Sequence, residues 1–253
     1  MGRTPKKRRS VYVDGFNLYY GALKATSYRW LDLHALCTKL LPGSSIHRIR
    51  YFTARVSPRP GNLDQAQRQQ TYLRALQAAT ANLTIHEGQF LSSKGMARVV
   101  SPPPTSIQVH KVEEKGSDVN LATYLLVDAF DGDYETAVVI SNDTDLVTPI
   151  TVVRTKFALP VIVLNPQKNT SWPMRNAATM YRPIRQGVFV AKCFQTIVAG
   201  CEPRTQCRAT AVAARCHATA VAGLFRTVKL EAFSQLPAVL TDAHGTITKP
   251  PTW

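Results

Sequence analysis

Residues 138–145 of this chain read Val-Val-Ile-Ser-Asn-Asp-Thr-Asp, an apolar run that passes at once into a polar and acidic stretch. A short apolar run of this kind is typical of a central strand in a parallel sheet, because such a strand is buried on both faces. Ligands of these sheets bind beyond the carboxyl ends of the strands. The stretch therefore predicts an α/β fold in which Asp143 and Asp145 lie at a ligand-binding edge.

Short β-branched runs alternate with longer helical patterns over most of the chain. Strands are predicted at residues 11–13, 46–53, 83–85, 137–140 and 160–164, and helices at residues 31–41, 64–80, 118–130 and 145–153. This alternation is typical of parallel strands joined by crossover helices. The expected architecture is a central, mostly parallel sheet with helices on both faces.

Two further aspartates are predicted at the same edge of the sheet. Asp14 directly follows the first predicted strand, and Asp118 opens the third predicted helix. With Asp143 and Asp145, three separate segments of chain then bring carboxylates to one edge. Asp118 and Asp145 also have a simpler interpretation as helix caps, because aspartate is a favoured capping residue. The convergence of the whole set favours a functional site.

The charge balance indicates what such a site would act on. The chain has 31 Lys and Arg but only 16 Asp and Glu, a net charge of +15. Basic surface attracts phosphate backbones, although a merely basic surface would have the same charge. Carboxylates gathered in a cationic protein suit Mg²⁺ or Mn²⁺ held against an anionic substrate. Neither a Gly-x-x-x-x-Gly-Lys-Ser/Thr loop nor a Gly-x-Gly-x-x-Gly stretch occurs, so the residues favour a metal-dependent nuclease.

Residues 1–9 are predicted to be a basic flexible arm that adds nonspecific affinity for phosphates. No apolar run follows this arm, so it is not expected to be a signal peptide. No apolar run approaches the roughly 20 residues that span a bilayer, so no membrane association is expected. The odd number of cysteines indicates a reducing compartment, and the expected location is cytoplasmic.

The alternation of strands and helices fails after about residue 185. Residues 188–253 are therefore assigned to a C-terminal extension, in which residues 190–230 are divergent or inserted and the tail at residues 240–251 lies on the surface of the main domain. The cysteines of this extension include no Cys-x-x-Cys pair, so they are interpreted as free thiols rather than as a zinc site.

A proline-rich loop at residues 101–104 is flanked by basic side chains. Arg98, Lys111 and Lys115 are the predicted substrate-binding cations, on the hypothesis that this loop borders a substrate groove. An ordinary surface loop would have the same sequence.

Three segments resemble the NYN domain, a branch of the PIN-like nucleases. They are Val-Asp-Gly-Phe-Asn-Leu-Tyr-Tyr at residues 13–20, Lys-Gly-Ser-Asp-Val-Asn-Leu-Ala-Thr at residues 115–123 and Val-Val-Ile-Ser-Asn-Asp-Thr-Asp-Leu at residues 138–146. Their order and spacing match the family over roughly residues 10–187, and residues 234–253 resemble the end of a bacterial subgroup. The resemblance implies a Rossmann-like PIN fold and metal-dependent ribonuclease activity.

The resemblance also implies roles for individual residues. The metal ligands, for Mg²⁺ or Mn²⁺, would be Asp14, Asp118, Asp143 and Asp145. Asn17 would orient a metal-bound water or a phosphate, with a plain turn residue as the alternative interpretation. Ser141 and Asn142 would support the edge by hydrogen bonding and contact the substrate.

This chain departs from the family pattern at one position. Many relatives have a further acid in the helix after Asp118, where Tyr124 stands here. Glu113, Glu114 and Asp128 are possible substitutes, but each is interpreted as a solvated charge or a salt-bridge partner. The departure leaves one or two metal ions open.

The expected function is that of an endoribonuclease acting on RNA. A non-catalytic RNA-binding NYN module and a DNA-directed PIN-like nuclease are the alternatives. Neither the RNA target nor the oligomeric state follows from the sequence.

Overall fold

The computed structural model describes residues 7–24, 26–58, 61–101, 104–185, 239–242 and 245–248. The strands of the main sheet are β1 Arg8–Asp14, β2 Ser45–Ala54, β3 Leu83–Arg98, β4 Ser106–Lys115, β5 Thr136–Ile140, β6 Val161–Asn165 and β7 Met180–Pro183. Most of the C-terminal extension, including its cysteines, lies outside the described residues. The interpretation of those cysteines as free thiols therefore stays a prediction.

The seven strands form one sheet in the order β4-β3-β2-β1-β5-β6-β7. Every neighbouring pair is parallel except β3 and β4, which are antiparallel. The direction in which successive strands are added reverses between β1 and β5. That reversal is the switch point where α/β sheets open a crevice for ligands.

Helices cover both faces of this sheet, which confirms the predicted fold class. They are α1 Gly15–Leu18, which continues as a π-helix at Tyr19–Leu23, then α2 Leu33–Leu40, α3 Gln65–Ala79, α4 Ser117–Phe130, α5 Val147–Lys156 and α6 Trp172–Ala177. Val11 and Val13 pack in one core with α2 and α3, whereas Tyr12 packs in a second core with α4, α5 and α6. Among the described residues, no helix is both long and apolar enough to cross a bilayer.

The structure differs from the predicted elements in several places. β3 continues far beyond residues 83–85 and pairs with β4 in a long hairpin that the sequence analysis missed. Beyond Gly88 the hairpin leaves the core and most of its residues are exposed, so no buried face marks it as a strand. The helix predicted at residues 145–153 begins as a 3₁₀ turn at Thr144–Leu146. The helical segment after β1 was also missed, as were α6 and β7.

The first and the last described segments of the chain both form strands. β1 begins at Arg8, so the predicted arm at residues 1–9 overlaps a strand at residues 8 and 9, and residues 1–6 lie outside the described part. Near the other end, β8 Val239–Asp242 and β9 Gly245–Thr248 form an antiparallel hairpin against α3. Ile247 is buried in the same core as α3, so this hairpin contributes to the core as well as to the surface.

Gly88 marks the point where β3 passes from its pairing with β2 to its pairing with β4. A Cβ atom there would lie 2.6 Å from the carbonyl oxygen of Lys115 and 2.7 Å from a carboxylate oxygen of Glu114. Real Cβ atoms do not approach so closely, so a larger residue would displace the end of β4. Because α4 begins directly after β4, Gly88 also sets the position of the start of α4.

A buried carboxylate joins α4 to β1 and β2. Asp128 is 3% exposed and accepts hydrogen bonds from the Tyr12 hydroxyl at 2.6 Å and from Nε and Nη2 of Arg50 at 2.8 and 2.7 Å. Burial and the Asp128 carboxylate raise the pKa of Tyr12 well above its ordinary value. The earlier interpretation of Asp128 as a salt-bridge partner is confirmed.

We expect Asp128→Asn to lower the free energy of unfolding by about 3–5 kcal/mol, because it leaves the guanidinium of Arg50 without its counter-charge in a largely buried position. Chemical denaturation followed by circular dichroism measures this change. Asp131→Asn, at the exposed end of the same helix, is the matched control and should have little effect. A loss below about 1 kcal/mol for Asp128→Asn would contradict the assigned role of this network.

Candidate active site

Asp14 lies at the carboxyl end of β1 and is 6% exposed. One carboxylate oxygen accepts a hydrogen bond from the backbone N–H of Asn17 at 2.9 Å, and the other accepts from the Ser141 hydroxyl at 2.9 Å. The first contact caps α1, and the second reaches across to the residue that follows β5. Asp14 therefore joins the two strands that flank the switch point.

Asn17 and Asn142 form a second bridge across the same crevice. The side-chain oxygen of Asn17 accepts from the backbone N–H of Asn142 and from the side chain of Gln167, both at 3.1 Å. The side-chain oxygen of Asn142 accepts from the Tyr181 hydroxyl at 2.8 Å. Because its oxygen is engaged in these contacts, Asn17 fixes the loops of the edge rather than serving as a simple turn residue.

Asp143 and Asp145 follow β5 at this edge. The backbone N–H of Asp143 donates to the Ser141 hydroxyl at 3.1 Å, and its carboxylate accepts from the backbone N–H of Asp145 at 3.0 Å. Asp143 is thus the cap of the 3₁₀ turn that begins at Thr144. The capping interpretation of Asp145 is wrong, because Asp145 lies inside that turn with an exposed side chain.

Asp118 lies in the first turn of α4, but it is not the cap. The capping residue is Gly116, in a left-handed conformation with φ of 98°, and the side chain of Glu114 accepts from the backbone N–H of Ser117 at 3.1 Å. These contacts leave the carboxylate of Asp118 to serve another purpose. The capping interpretation of Asp118 is therefore wrong as well.

The protonation of two of these carboxylates depends on burial and on their acidic neighbours. Burial, together with the negative charges of Asp14, Asp143, Glu114 and Asp145, raises the pKa of Asp118 to about 7. Burial also raises the pKa of Asp14, with added contributions from Asp143 and Glu114, although hydrogen bonds from Asn17 and Ser141 oppose the shift. The predicted aspartates thus lie together at one edge.

Glu114 is a member of this cluster that the sequence analysis dismissed as a solvated or paired charge. Its position depends on the close approach of β4 to Gly88, for which the sequence contains no periodic signal. Tyr124 instead packs against His86 and lies under the guanidinium of Arg50, away from the face of α4 that carries Asp118. Glu114, rather than a residue at position 124, supplies the additional acid.

The predicted substrate-binding cations lie along the β3–β4 hairpin. Lys111 and Lys115 each pair with Glu113, the latter at 3.2 Å, which confirms the salt-bridge interpretation of Glu113. Lys115 is at the base of the hairpin beside the start of α4. Arg98 is at the far end, paired in register with Ser106, and roughly 30 Å of strand separates it from the base. The structure therefore places Lys115 next to Glu114 along the chain, with its side chain on Glu113, and places Arg98 far from the acidic edge.

The donor atoms of the acidic edge are of the right kind for a hard divalent cation, since carboxylate oxygens are what Mg²⁺ and Mn²⁺ prefer. Burial raises the pKa of Asp14 and of Asp118, and the neighbouring negative charges, which a cation would offset, add to both shifts. Within the described residues, however, no group of three or more Asp, Glu, His or Cys side chains is already arranged to hold a metal ion. The chemistry of the donors fits a cation, and their side chains would have to close around it.

The sheet, the switch-point crevice and its acidic edge define a Rossmann-like α/β protein of the PIN-like kind. The NYN domain family model matches residues 8–185, and the chain belongs to this family. The suspected resemblance is confirmed.

Two individual proteins are similar to this chain. It is 34% identical over 200 residues to the 6-hydroxy-3-succinoylpyridine 3-monooxygenase HspA of Pseudomonas putida (strain DSM 28022 / S16), an alignment that covers 68% of this chain and 62% of the relative. A crystal structure of a protein of unknown function from Vibrio parahaemolyticus RIMD 2210633 superposes with a TM-score of 0.47 and 17% identity. That match covers 73% of this chain and 97% of the other.

The crowding of carboxylates predicts a pH dependence of stability in the absence of metal. The folded-state pKa of Asp118, about 7, is above the ordinary value of 3.8, so the folded protein holds this proton more tightly than the unfolded chain. The stabilisation is complete below about pH 4 and is lost as the pH rises through about 7. In EDTA, Asp118→Asn should therefore gain melting temperature relative to the wild type between pH 4 and pH 8.

Asp64→Asn, which removes an exposed carboxylate at the start of α3, is the control and should follow the wild type. Thermal unfolding in a series of buffers measures all three proteins. Parallel curves for the wild type and Asp118→Asn would show that the carboxylates are not crowded as described.

Proposed function

We propose that this protein is a metal-dependent endoribonuclease of the cytoplasm that hydrolyses phosphodiester bonds of RNA at the acidic edge. The observation that carries the proposal is the convergence of carboxylates at the switch point of a protein with a net charge of +15, where burial and neighbouring acids raise the pKa of Asp14 and of Asp118. A cation offsets the repulsion among these carboxylates, and the basic surface retains the phosphate backbone.

In this proposal the metal ligands are Asp14, Asp118, Asp143 and Asp145, with Glu114 beside them. When bound, Mg²⁺ or Mn²⁺ makes a water nucleophilic and compensates charge on the leaving oxygen. Ser141 holds Asp14 and Asp143 in a fixed relation by donating to the first and accepting from the backbone of the second.

Positioning and substrate binding fall to the neighbouring residues. Asn17 acts as a positioning residue through its bond to the backbone of Asn142. Lys111 and Lys115 give up their salt bridges with Glu113 and pair with phosphates of the substrate instead. Arg98 contacts a more distant part of a long RNA.

Asp143→Asn tests the proposal, because it keeps the oxygen that accepts from Asp145 while it removes the ligand charge. We expect cleavage of labelled RNA with Mg²⁺ or Mn²⁺ to fall roughly a hundredfold or more, as when one electrostatic group is lost from a catalytic site. Thermal stability in EDTA should not fall, because one repelling charge is removed.

The same assay separates the alternatives. Asp64→Asn serves as the control and should cut at the wild-type rate. Cleavage of DNA but not RNA would favour a DNA-directed nuclease, and RNA binding without cleavage would favour a non-catalytic module. Wild-type cleavage that persists in excess EDTA would contradict the metal site.

A second candidate function is the monooxygenation of a small pyridine derivative. The specific observation in its favour is the 34% identity to a protein whose name gives 6-hydroxy-3-succinoylpyridine as its substrate. The chain spans 62% of that relative's length, so the relative includes a part with no counterpart in this alignment. Such a reaction would consume molecular oxygen and need a two-electron donor.

Oxygen uptake tests this candidate directly. The purified protein is mixed with 6-hydroxy-3-succinoylpyridine, reduced nicotinamide adenine dinucleotide and added flavin. An oxygen electrode then compares the rate of oxygen uptake with and without the pyridine. If the endoribonuclease proposal is correct, we expect no pyridine-dependent oxygen uptake while RNA cleavage proceeds in parallel samples. Pyridine-dependent oxygen uptake together with intact RNA would favour the monooxygenase over the endoribonuclease.

A further inference from the structure

A cavity of about 400 Å³ has a described lining that includes none of the carboxylates of the acidic edge. It is bounded by α1 with its π-helical continuation, by β2 and by α3. Its volume is within the range of roughly 300–1,000 Å³ in which small-molecule sites fall. The roles proposed for the residues of the acidic edge do not explain this cavity.

Aromatic side chains form much of the wall. Its aromatic lining residues are four tyrosines and one phenylalanine, namely Tyr19, Tyr20, Tyr51, Tyr72 and Phe16. We call this space the tyrosine cavity. Two of them belong to the π-helix at Tyr19–Leu23, a rare form of helix that occurs frequently at functional sites. The rings of Phe16 and Tyr20 are nearly parallel, with an interplanar angle of 25°. These flat walls suit a planar ring.

The charged groups of the cavity are all cationic. Lys24, Arg29 and Arg68 line it, and its described lining contains neither Asp nor Glu. The Nε atom of Arg29 is buried and donates to no group in the described part of the chain. Because Nε itself is shielded from solvent, an anion in the cavity would pair with the charge of the Arg29 guanidinium rather than with this atom. Lys24 lies 4.9 Å from the centre of the Tyr20 ring, so a second cation adjoins the aromatic wall.

We propose that the tyrosine cavity binds a small ligand made of a planar aromatic ring that carries an anionic group. The ring packs among Phe16, Tyr19 and Tyr20, and the anion accepts from Arg29. Two sources have this chemistry, namely a mononucleotide and a heteroaromatic carboxylate. The proposal does not depend on phosphodiester cleavage.

Gly15 connects the cavity to the acidic edge. It follows Asp14 directly, and a Cβ atom on it would lie 2.7 Å from the Tyr51 hydroxyl and 2.8 Å from the carbonyl oxygen of Phe52. The segment that carries Asp14 therefore continues directly into the lining of the cavity. A ligand in the tyrosine cavity contacts the segment that carries Asp14, so the two sites are neighbours but bind different groups.

Isothermal titration with the full chain in EDTA tests the proposal. The ring-bearing anions are uridine 5′-monophosphate and nicotinate, and the comparison ligands are uridine, nicotinamide and inorganic phosphate. We expect at least one ring-bearing anion to bind roughly tenfold or more tightly than its neutral counterpart and than phosphate. Binding of the nucleotide alone identifies a nucleotide site, and binding of nicotinate alone identifies a carboxylate site.

Two variants locate the binding. Arg29→Gln should weaken it roughly tenfold or more through the lost charge, and Tyr20→Leu, at a side chain 59% exposed, should weaken it without disturbing the fold. Arg175→Gln is the matched control, because it removes the same charge from an arginine that lies over Trp172 and does not line the cavity. Asp143→Asn should bind the ligand as the wild type does, so loss of cleavage and loss of this site are distinguishable.

Two results would overturn the proposal. One is that none of the ring-bearing anions binds more tightly than its neutral counterpart. The other is that Tyr20→Leu and Arg29→Gln, both folded by circular dichroism, bind the ligand as tightly as Arg175→Gln does.

Discussion

The functional geometry of this protein depends on one buried carboxylate. The carboxylate of Asp14 accepts one hydrogen bond from the backbone N–H of Asn17, in the helix that follows β1. It accepts a second from the hydroxyl of Ser141, directly after β5. A charged group at 6% exposure is costly, and these bonds offset part of that cost while they hold β1 and β5 in fixed relation. Asp143 and Asp145 are placed by this pair of strands, whereas Glu114 and Asp118 are placed by the approach of β4 to Gly88.

The part of the fold that the sequence could predict is the part that is buried. β5 and β6 are fully buried, so their apolar runs predicted central parallel strands. The positions of Asp14 and Asp143 followed from the predicted ends of β1 and β5. The alternation of strand and helix then predicted the layers. Here local pattern and tertiary structure agree.

What the sequence could not predict depends on contacts between distant segments. The hairpin beyond Gly88 is largely exposed, so neither face of it shows a hydrophobic period. Glu114 joins the acidic cluster only because the chain passes within contact distance of Gly88, and the residue type alone suggested a solvated charge. The tyrosine cavity gathers its rings from a π-helix, a strand and a helix, which share no spacing along the chain.

The packing of Ile247 has a consequence for how the chain accommodates variation. The family match ends at residue 185, yet the core that contains α3 is completed by a hairpin at residues 239–248. Residues 186–238 therefore connect two parts of one core. A chain that stopped at residue 185 would retain the whole of the family match and still leave the core beside α3 open.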